Sequence, residues 1–182
     1  MSQKIDIFKE GIFSLNTRRF GTLAEIMIKK LYDLQWSGNK SFDLYDPLND
    51  KKIEVKFSRV MQKHSDTIRE ENVIDQCMSD AYLENRSLNA NDIFIPFDSN
   101  IQQIKCHNFD YLFYGLFFMD CVEIYGVCSQ HIHSIPGYSD HQHAGNIGEG
   151  QFHLNNSSIN YHRNNFFKKA LTYSELFRLL QN

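Results

Sequence analysis

Proline and tryptophan are scarce, at 3 and 1 of 182 residues, and no internal repeat, low-complexity tract or proline-rich linker divides the chain. One domain is therefore expected over residues 1–182, long enough to bury a core without disulfides. The four cysteines (Cys77, Cys106, Cys121 and Cys128) show no CxxC pair and no regular spacing, so they read most simply as buried free thiols in a reducing compartment. No N-terminal stretch joins a basic start to an apolar run and a small-residue cleavage site. The longest apolar run, YLFYGLFFM at 111–119, is far short of the ~20 residues of a membrane helix. These absences predict a cytoplasmic protein with no membrane partner. A net charge of −3 excludes a polybasic protein that coats DNA without specificity. It leaves room for a DNA enzyme whose basic groups share one face and whose carboxylates work with metal ions.

What is present is a globular composition, with 42% hydrophobic, 14% aromatic and 23% charged residues. Thr22-Leu-Ala-Glu25 has the form of a capping box. Leu23, Ile26, Met27, Leu31 and Leu34 then recur at helical spacing, which predicts a helix over about 22–34. Ser41 to Asp46 and Lys51 to Arg59 read as strands around the turn Pro-Leu-Asn-Asp. A weaker helical stretch covers about 67–82. Phe109 to Met119 and Val122 to Val127 read as strands covered on both faces. QFHLNNSSINYH looks like a hairpin, and Thr172-Tyr-Ser-Glu175 is a second capping box that opens a C-terminal helix. The class is mixed α/β, with a central β-sheet flanked by helices and a C-terminal hairpin.

The first hairpin carries the chemistry. A turn centred after Leu48 places Leu44 opposite Ile53, Asp43 opposite Glu54 and Phe42 opposite Val55. Alternation then puts Phe42, Leu44, Ile53, Val55 and Phe57 on a core face, and Asp43, Tyr45, Glu54 and Lys56 on the other. Opposed side chains lie about 4.5–5.5 Å apart at Cβ, where two carboxylates repel. A divalent cation reverses that sign, because paired carboxylates with water and phosphate oxygens suit Mg²⁺. The plainer reading is that Lys56 neutralises Glu54 on a solvated face.

Asp43, ten intervening residues and Glu54-Val-Lys56 resemble the signature of the PD-(D/E)XK nuclease superfamily, which includes many type II restriction endonucleases. The surroundings agree: a helix with a Glu before the hairpin, Phe-Ser-Arg after the lysine, and two hydrophobic strands beyond the next helix. The proline that precedes the aspartate in the family is replaced by Phe42. Asp46 competes with Asp43 but has no carboxylate opposite it and directly precedes Pro47. The resemblance spans about residues 20–130 as a catalytic core, leaving about 131–182 as a recognition region and C-terminal helix. It implies Mg²⁺-dependent phosphodiester hydrolysis of both strands of double-stranded DNA, leaving 5′-phosphate ends. Asp43 and Glu54 would ligate the metal together with the Val55 carbonyl, and Lys56 would hold or help deprotonate the attacking water. Glu25 would complete the acidic cluster, although it also fits position N3 of a capping box or an i,i+4 partner for Lys29. Also implied are a homodimer, the twofold solution to cutting a symmetric site, and a cognate DNA methyltransferase. The same core serves repair nickases and junction resolvases; outside enzymes, a DNA- or metal-binding module without catalysis is the alternative.

In the predicted C-terminal hairpin, Phe152, Leu154, Ile159 and Tyr161 would cover the core. Gln151, His153, Asn155, Ser158, Asn160 and His162 would point outward, where amides and imidazoles match base edges. An ordinary polar surface is the plain alternative. Arg18, Arg19, Arg59, Lys63, Arg163, Lys168 and Lys169 are candidates for phosphate contact. Gly145, Gly148 and Gly150 suggest a tight loop rather than a nucleotide-binding motif. Six histidines (His131, His133, His141, His143, His153 and His162) could serve zinc or an HNH-type nuclease. With no CxxC pair and no H-x(3)-H on a helix, surface or DNA-contact roles are expected of them instead.

Overall fold

The computed structural model describes residues 2–63, 67–142 and 146–181. Helices α1 (Ser2–Ser14) and α2 (Thr17–Leu31) precede three strands, β1 (Gln35–Trp36), β2 (Leu44–Asp46) and β3 (Lys51–Arg59). Short helices α3 (Val73–Asp80) and α4 (Leu83–Arg86) follow, then β4 (Asp98–Ile104), β5 (Tyr111–Phe117) and β6 (Cys121–Cys128). A 3-10 turn at Ser129–Ser134 leads into β7 (Ser139–Gln142) and β8 (Asn146–Asn155). The chain closes with α5 (Ile159–Phe166), β9 (Phe167–Thr172) and α6 (Tyr173–Gln181).

Six strands form one mixed sheet in the order β1-β2-β3-β5-β6-β9, in which β3 and β5 run parallel and the other neighbours antiparallel. The remaining three form a second sheet, β4-β8-β7. Each face of the larger sheet has its own core. Ile53, Val55 and Phe117 meet Phe20, Met27 and Ile28 of α2 and Leu176 of α6 on one side. On the other, Leu112, Tyr114 and Leu116 meet Ile101, Phe152 and Leu154 of the second sheet. This double coverage explains why β5 and β6 read as unbroken apolar runs. The chain is thus mixed α/β, a mixed sheet flanked by helices. Among the described residues no helix is long and apolar enough to cross a membrane.

The hairpin register is as the sequence predicts from Leu44 opposite Ile53 to Asp46 opposite Lys51, but the expected pairs Asp43–Glu54 and Phe42–Val55 do not form, because the ladder ends at Leu44 and the Asp43 side chain takes the Val55 amide. The second capping box also forms: the Thr172 amide donates to Glu175 Oε2 at 2.7 Å and the Glu175 amide to Thr172 Oγ1 at 3.2 Å. The first does not. Asn16 caps α2 through the Arg19 amide, at 3.1 Å, so the helix begins at Thr17 and Thr22 lies inside it. The buried stripe is Phe20, Ala24, Met27 and Ile28, rotated from the one expected. Phe42 also departs from expectation and packs into the core of the second sheet. Of the cysteines, Cys77 and Cys128 are exposed rather than buried.

The expected hairpin QFHLNNSSINYH is a strand, a turn and a helix. Asn155 Oδ1 accepts from the amides of Ser157 and Ser158, at 3.0 and 3.2 Å, which ends β8 and starts the turn into α5. The partner of β8 in a hairpin is instead β7, drawn from the histidine-rich tract. On a helix, period-two alternation no longer holds, and His162 turns inward. It is 0% exposed, stacked on Phe152, with its Nδ1 2.8 Å from the Tyr114 hydroxyl. Arg163 is likewise committed inside the fold. Its guanidinium donates to both oxygens of the buried Glu123, at 2.8 and 3.1 Å, and to the Ala90 carbonyl. A buried carboxylate within a sheet needs such pairing.

Burial lowers the His162 pKa from 6.5 to about 4. The unfolded imidazole therefore takes up a proton that the folded one refuses, so stability is full above pH 6.5 and is lost as pH falls toward 4. Urea unfolding should show this group costing about 3 kcal/mol across that window. The variant His162→Asn should lose that part of the slope; parallel profiles for the two proteins would show that the imidazole is not buried in its neutral form.

Candidate functional site at the open edge of β3

β2 is short and β3 is long. The β2 ladder ends at Leu44 and Ile53, whereas β5 pairs with β3 from Ile53 to Arg59. The second half of β3 thus has a neighbour on one side only, and its other edge borders a cleft of about 550 Å³. Asp43 sits where the two strands part. Its amide donates to the Ile53 carbonyl at 3.1 Å, and its Oδ2 accepts from the Val55 amide at 2.9 Å. The side chain thereby takes over from the missing strand. This shift out of strict pairing also breaks the alternation before Leu44, which is why Phe42 reaches the other core.

Glu54 and Lys56 project from the same face of β3, and their head groups touch, Nζ to Oε1 at 2.5 Å, with side chains 11% and 25% exposed. Glu25 approaches from α2 on the helix-covered side. Thr17, Gly21 and Glu25 succeed one another at i,i+4 along the cleft wall, so the small residues leave it open below the carboxylate. Because Glu25 is mid-helix, its capping role falls away, and the charges acting on it are those of Asp43 and Lys56.

The electrostatics express crowding. Burial, then the charge of Asp43, raises the Glu25 pKa, while Lys56 pulls it down. Burial likewise raises Glu54; Lys56 offsets part of this, and Asp43 and Glu25 add to it. Burial works against the charged Lys56, but Glu54, Asp43 and Glu25 together outweigh it and raise the amine above its ordinary value. One ammonium is shared among three carboxylates. Asp46, the competing aspartate, is occupied in building the turn: its carboxylate accepts from the Leu48 and Asn49 amides and from Asn49 Nδ2, at 3.0, 3.2 and 2.7 Å. These bonds, led by the Asn49 side chain, lower its pKa.

A hard cation fits the donor set at this edge. The carboxylates carry more negative charge than Lys56 neutralises. The Val55 carbonyl also faces the cleft, since the amide and carbonyl of one strand residue point to the same edge and this amide binds Asp43. Among the described residues no three His, Cys, Asp or Glu close into a ready metal cage. Mg²⁺ is held by few carboxylates together with water and substrate oxygens, and asks for no such cage.

Other predicted residues fare differently. Arg59 borders the cleft but spends Nη1 on the Phe13 and Leu15 carbonyls, at 2.5 and 2.8 Å, and lies over the Phe20 ring. His153 pairs with Asp98 at 2.7 Å, and Gln151 accepts from Asn100 at 2.9 Å. Asn155 is the turn residue already described, Asn160 is exposed on α5, and His162 and Arg163 are structural. His131, His133 and His141 are exposed; His143 and Gly145 lie outside the described residues.

Sequence reasoning missed the far wall of the cleft. Asn100, Gln102 and Gln103 of β4 line it with Arg86, and DSNIQQI carries too few apolar residues to announce a strand. A second cavity, about 590 Å³, lies at the other end of β3 beside Tyr32, Tyr111 and Phe113; its aspartates, Asp46 and Asp110, are spent on the hairpin turn and on the Lys52 amide. No protein-family model, curated protein or solved structure matches the chain.

Lys56→Met should lower stability by about 1–3 kcal/mol, because Glu54 would stay buried beside two like charges. Glu25→Gln should leave the metal-free melting temperature unchanged or raise it. Melting curves in EDTA test both, and a marked destabilisation by Glu25→Gln would remove the picture of an over-acidic edge.

Proposed function

We propose that this chain is a metal-dependent endonuclease of the restriction type, with a restriction-endonuclease-like core, hydrolysing both strands of double-stranded DNA. The observation that carries the reading is the meeting of Asp43, Glu54, Lys56 and Glu25 at one unpaired sheet edge, from three different elements. A single ion pair on a solvated face would need neither the strand divergence nor the helix carboxylate.

Asp43, Glu54 and the Val55 carbonyl would hold Mg²⁺, with Glu25 completing the acidic set. The bound ion supplies an acidified water and a positive charge beside the scissile phosphate. Lys56, kept protonated by its neighbours, acts as a donor and fixed charge rather than as a base. It orients the attacking water and offsets charge growing on the phosphate oxygens. The Val55 amide fixes the Asp43 carboxylate, so that this ligand is held in place before any ion arrives. Products would carry 5′-phosphate and 3′-hydroxyl ends. Two copies about a twofold axis would cut the two strands of a symmetric site, and a companion methyltransferase would protect host DNA.

Unmethylated phage DNA incubated with Mg²⁺ should yield fixed fragments with the wild-type protein. Asp43→Ala or Lys56→Met should reduce the rate by at least about a hundredfold, and EDTA should abolish cleavage. Nicks, or cutting confined to branched substrates, would move the reading to repair or junction-resolving enzymes. Equal cleavage by wild type and Asp43→Ala would remove Asp43 from the mechanism.

A further inference from the structure

The cleft has two walls of different chemistry. One is the β3 edge from Val55 to Arg59 with Glu25 of α2, next to Asp43 and Glu54, and the other is β4, an amide-rich strand with Arg86 beside it. β4 reaches this place because the chain beyond β3 bridges at Met61 to Ser87 and at Gln62 to Phe97, which ties the residues on both sides of the intervening segment to the end of β3. Its inner face is anchored by Ser99, Ile101 and Ile104, all buried.

Strict alternation would turn Gln103 inward. Instead the register shifts between Ile101 and Ile104, Gln103 takes a left-handed φ of 61°, and Gln102 and Gln103 are both exposed. For a residue other than glycine that backbone costs about 1 kcal/mol or more. A bulge that re-aims a side chain at such a cost marks a place where the side chain is wanted. Two further groups on this wall lack partners inside the protein. Asn100 donates through Nδ2 to Gln151 at 2.9 Å and to Gln102 at 3.4 Å, but its Oδ1 is buried with no donor. Arg86 Nε is buried with no acceptor. Both atoms are closed off from solvent and take a ligand partner only when their side chains turn toward the cleft, whereas Gln102 and Gln103 already bring exposed side chains to the same wall.

We infer that Asn100, Gln102, Gln103 and Arg86 read the base edges of the DNA whose backbone lies against the acidic edge. The inference rests on the nuclease reading and replaces the C-terminal segment as the main reader. Amide side chains match adenine N6 and N7 bidentately, and arginine matches guanine O6 and N7. The lining favours base reading over phosphate contact because this wall is mostly neutral, with Arg86 the one charged side chain beside Asn100, Gln102 and Gln103. Phosphates call for lysine and arginine, whereas bases call for paired donors and acceptors.

The test uses a random-sequence duplex library. Wild type, Asn100→Ala and Gln103→Ala are first allowed to bind it with Ca²⁺ in place of Mg²⁺, and the retained duplexes are sequenced. Phage DNA is then cleaved with Mg²⁺ and the fragment ends are sequenced. Wild type should enrich a short defined site. Each variant should lose about tenfold discrimination at one or two base pairs, while affinity for unselected duplex stays within about twofold. Because Gln103 is exposed, its replacement leaves folding intact even where Asn100→Ala does not. Unchanged base preference in Gln103→Ala and in folded Asn100→Ala would overturn the assignment, even with cleavage intact. Binding preference that depends on these residues, without any cleavage by wild type, would uphold β4 as the reader and remove the nuclease reading. A wild-type protein with no base preference in either arm would overturn the inference.

Discussion

The parallel pairing of β3 with β5 is the contact that the site depends on. Seven residue pairs, Ile53–Tyr111 to Arg59–Phe117, fix the full length of β3 against a strand buried on both faces. Held that firmly from one side, β3 can leave its other edge unpaired without losing its place. β2 uses only the first part of that edge, and Asp43 caps the point of departure with its carboxylate. Unpaired strand edges are usually blocked or covered. Here the edge is lined by acidic and basic side chains, which guard it against pairing with another strand.

Charge and packing are balanced differently at the two buried carboxylates of the central sheet. Glu123 on β6 receives a bidentate guanidinium and the Tyr125 hydroxyl, so its charge is fully answered. Glu54 on β3 shares one ammonium with Asp43 and Glu25, and its pKa is raised. One is a satisfied structural ion pair, and the other is an arrangement left incomplete. That contrast within a single sheet, more than the presence of acidic residues, marks the β3 edge as the candidate site.

What the sequence made legible follows from how local each signal was. The register of the first hairpin could be read because the alternation of Leu44, Ile53 and Val55 fixes which face is buried. The second capping box is local chemistry and formed as written. The start of α2 was misplaced because Asn16 caps from outside the apolar periodicity, and with it went the true buried face of the helix. That error gave Glu25 a competing capping role, when it lies mid-helix beside the buried stripe and within the field of Asp43 and Lys56. The C-terminal segment misled for another reason. Phe152 and Leu154 alternate truly, but beyond Asn155 the same apolar spacing suits a helical turn equally well, and only the Asn155 side chain decides between them. β4 was invisible, since a polar strand that owes its place to partners far along the chain has no local signature.

The helix α3 has no buried residue, and Ile74, Met78 and Tyr82 follow one another at helical spacing with wide exposure. Its ties include its own backbone hydrogen bonds, the Asn85 side-chain amide donating to the Ser79 carbonyl at 3.0 Å, and the bridges at its two flanks, with no apolar side chain buried beneath it. Segments of that kind open at little cost and independently of the cores. Amide hydrogens between about 73 and 82 would exchange with solvent ahead of those in β5 and β6, and a protease would find its first foothold there. The fold could therefore tolerate a nick, or an inserted stretch of chain, on the connection between its acidic edge and its amide-bearing strand while both cores stayed closed.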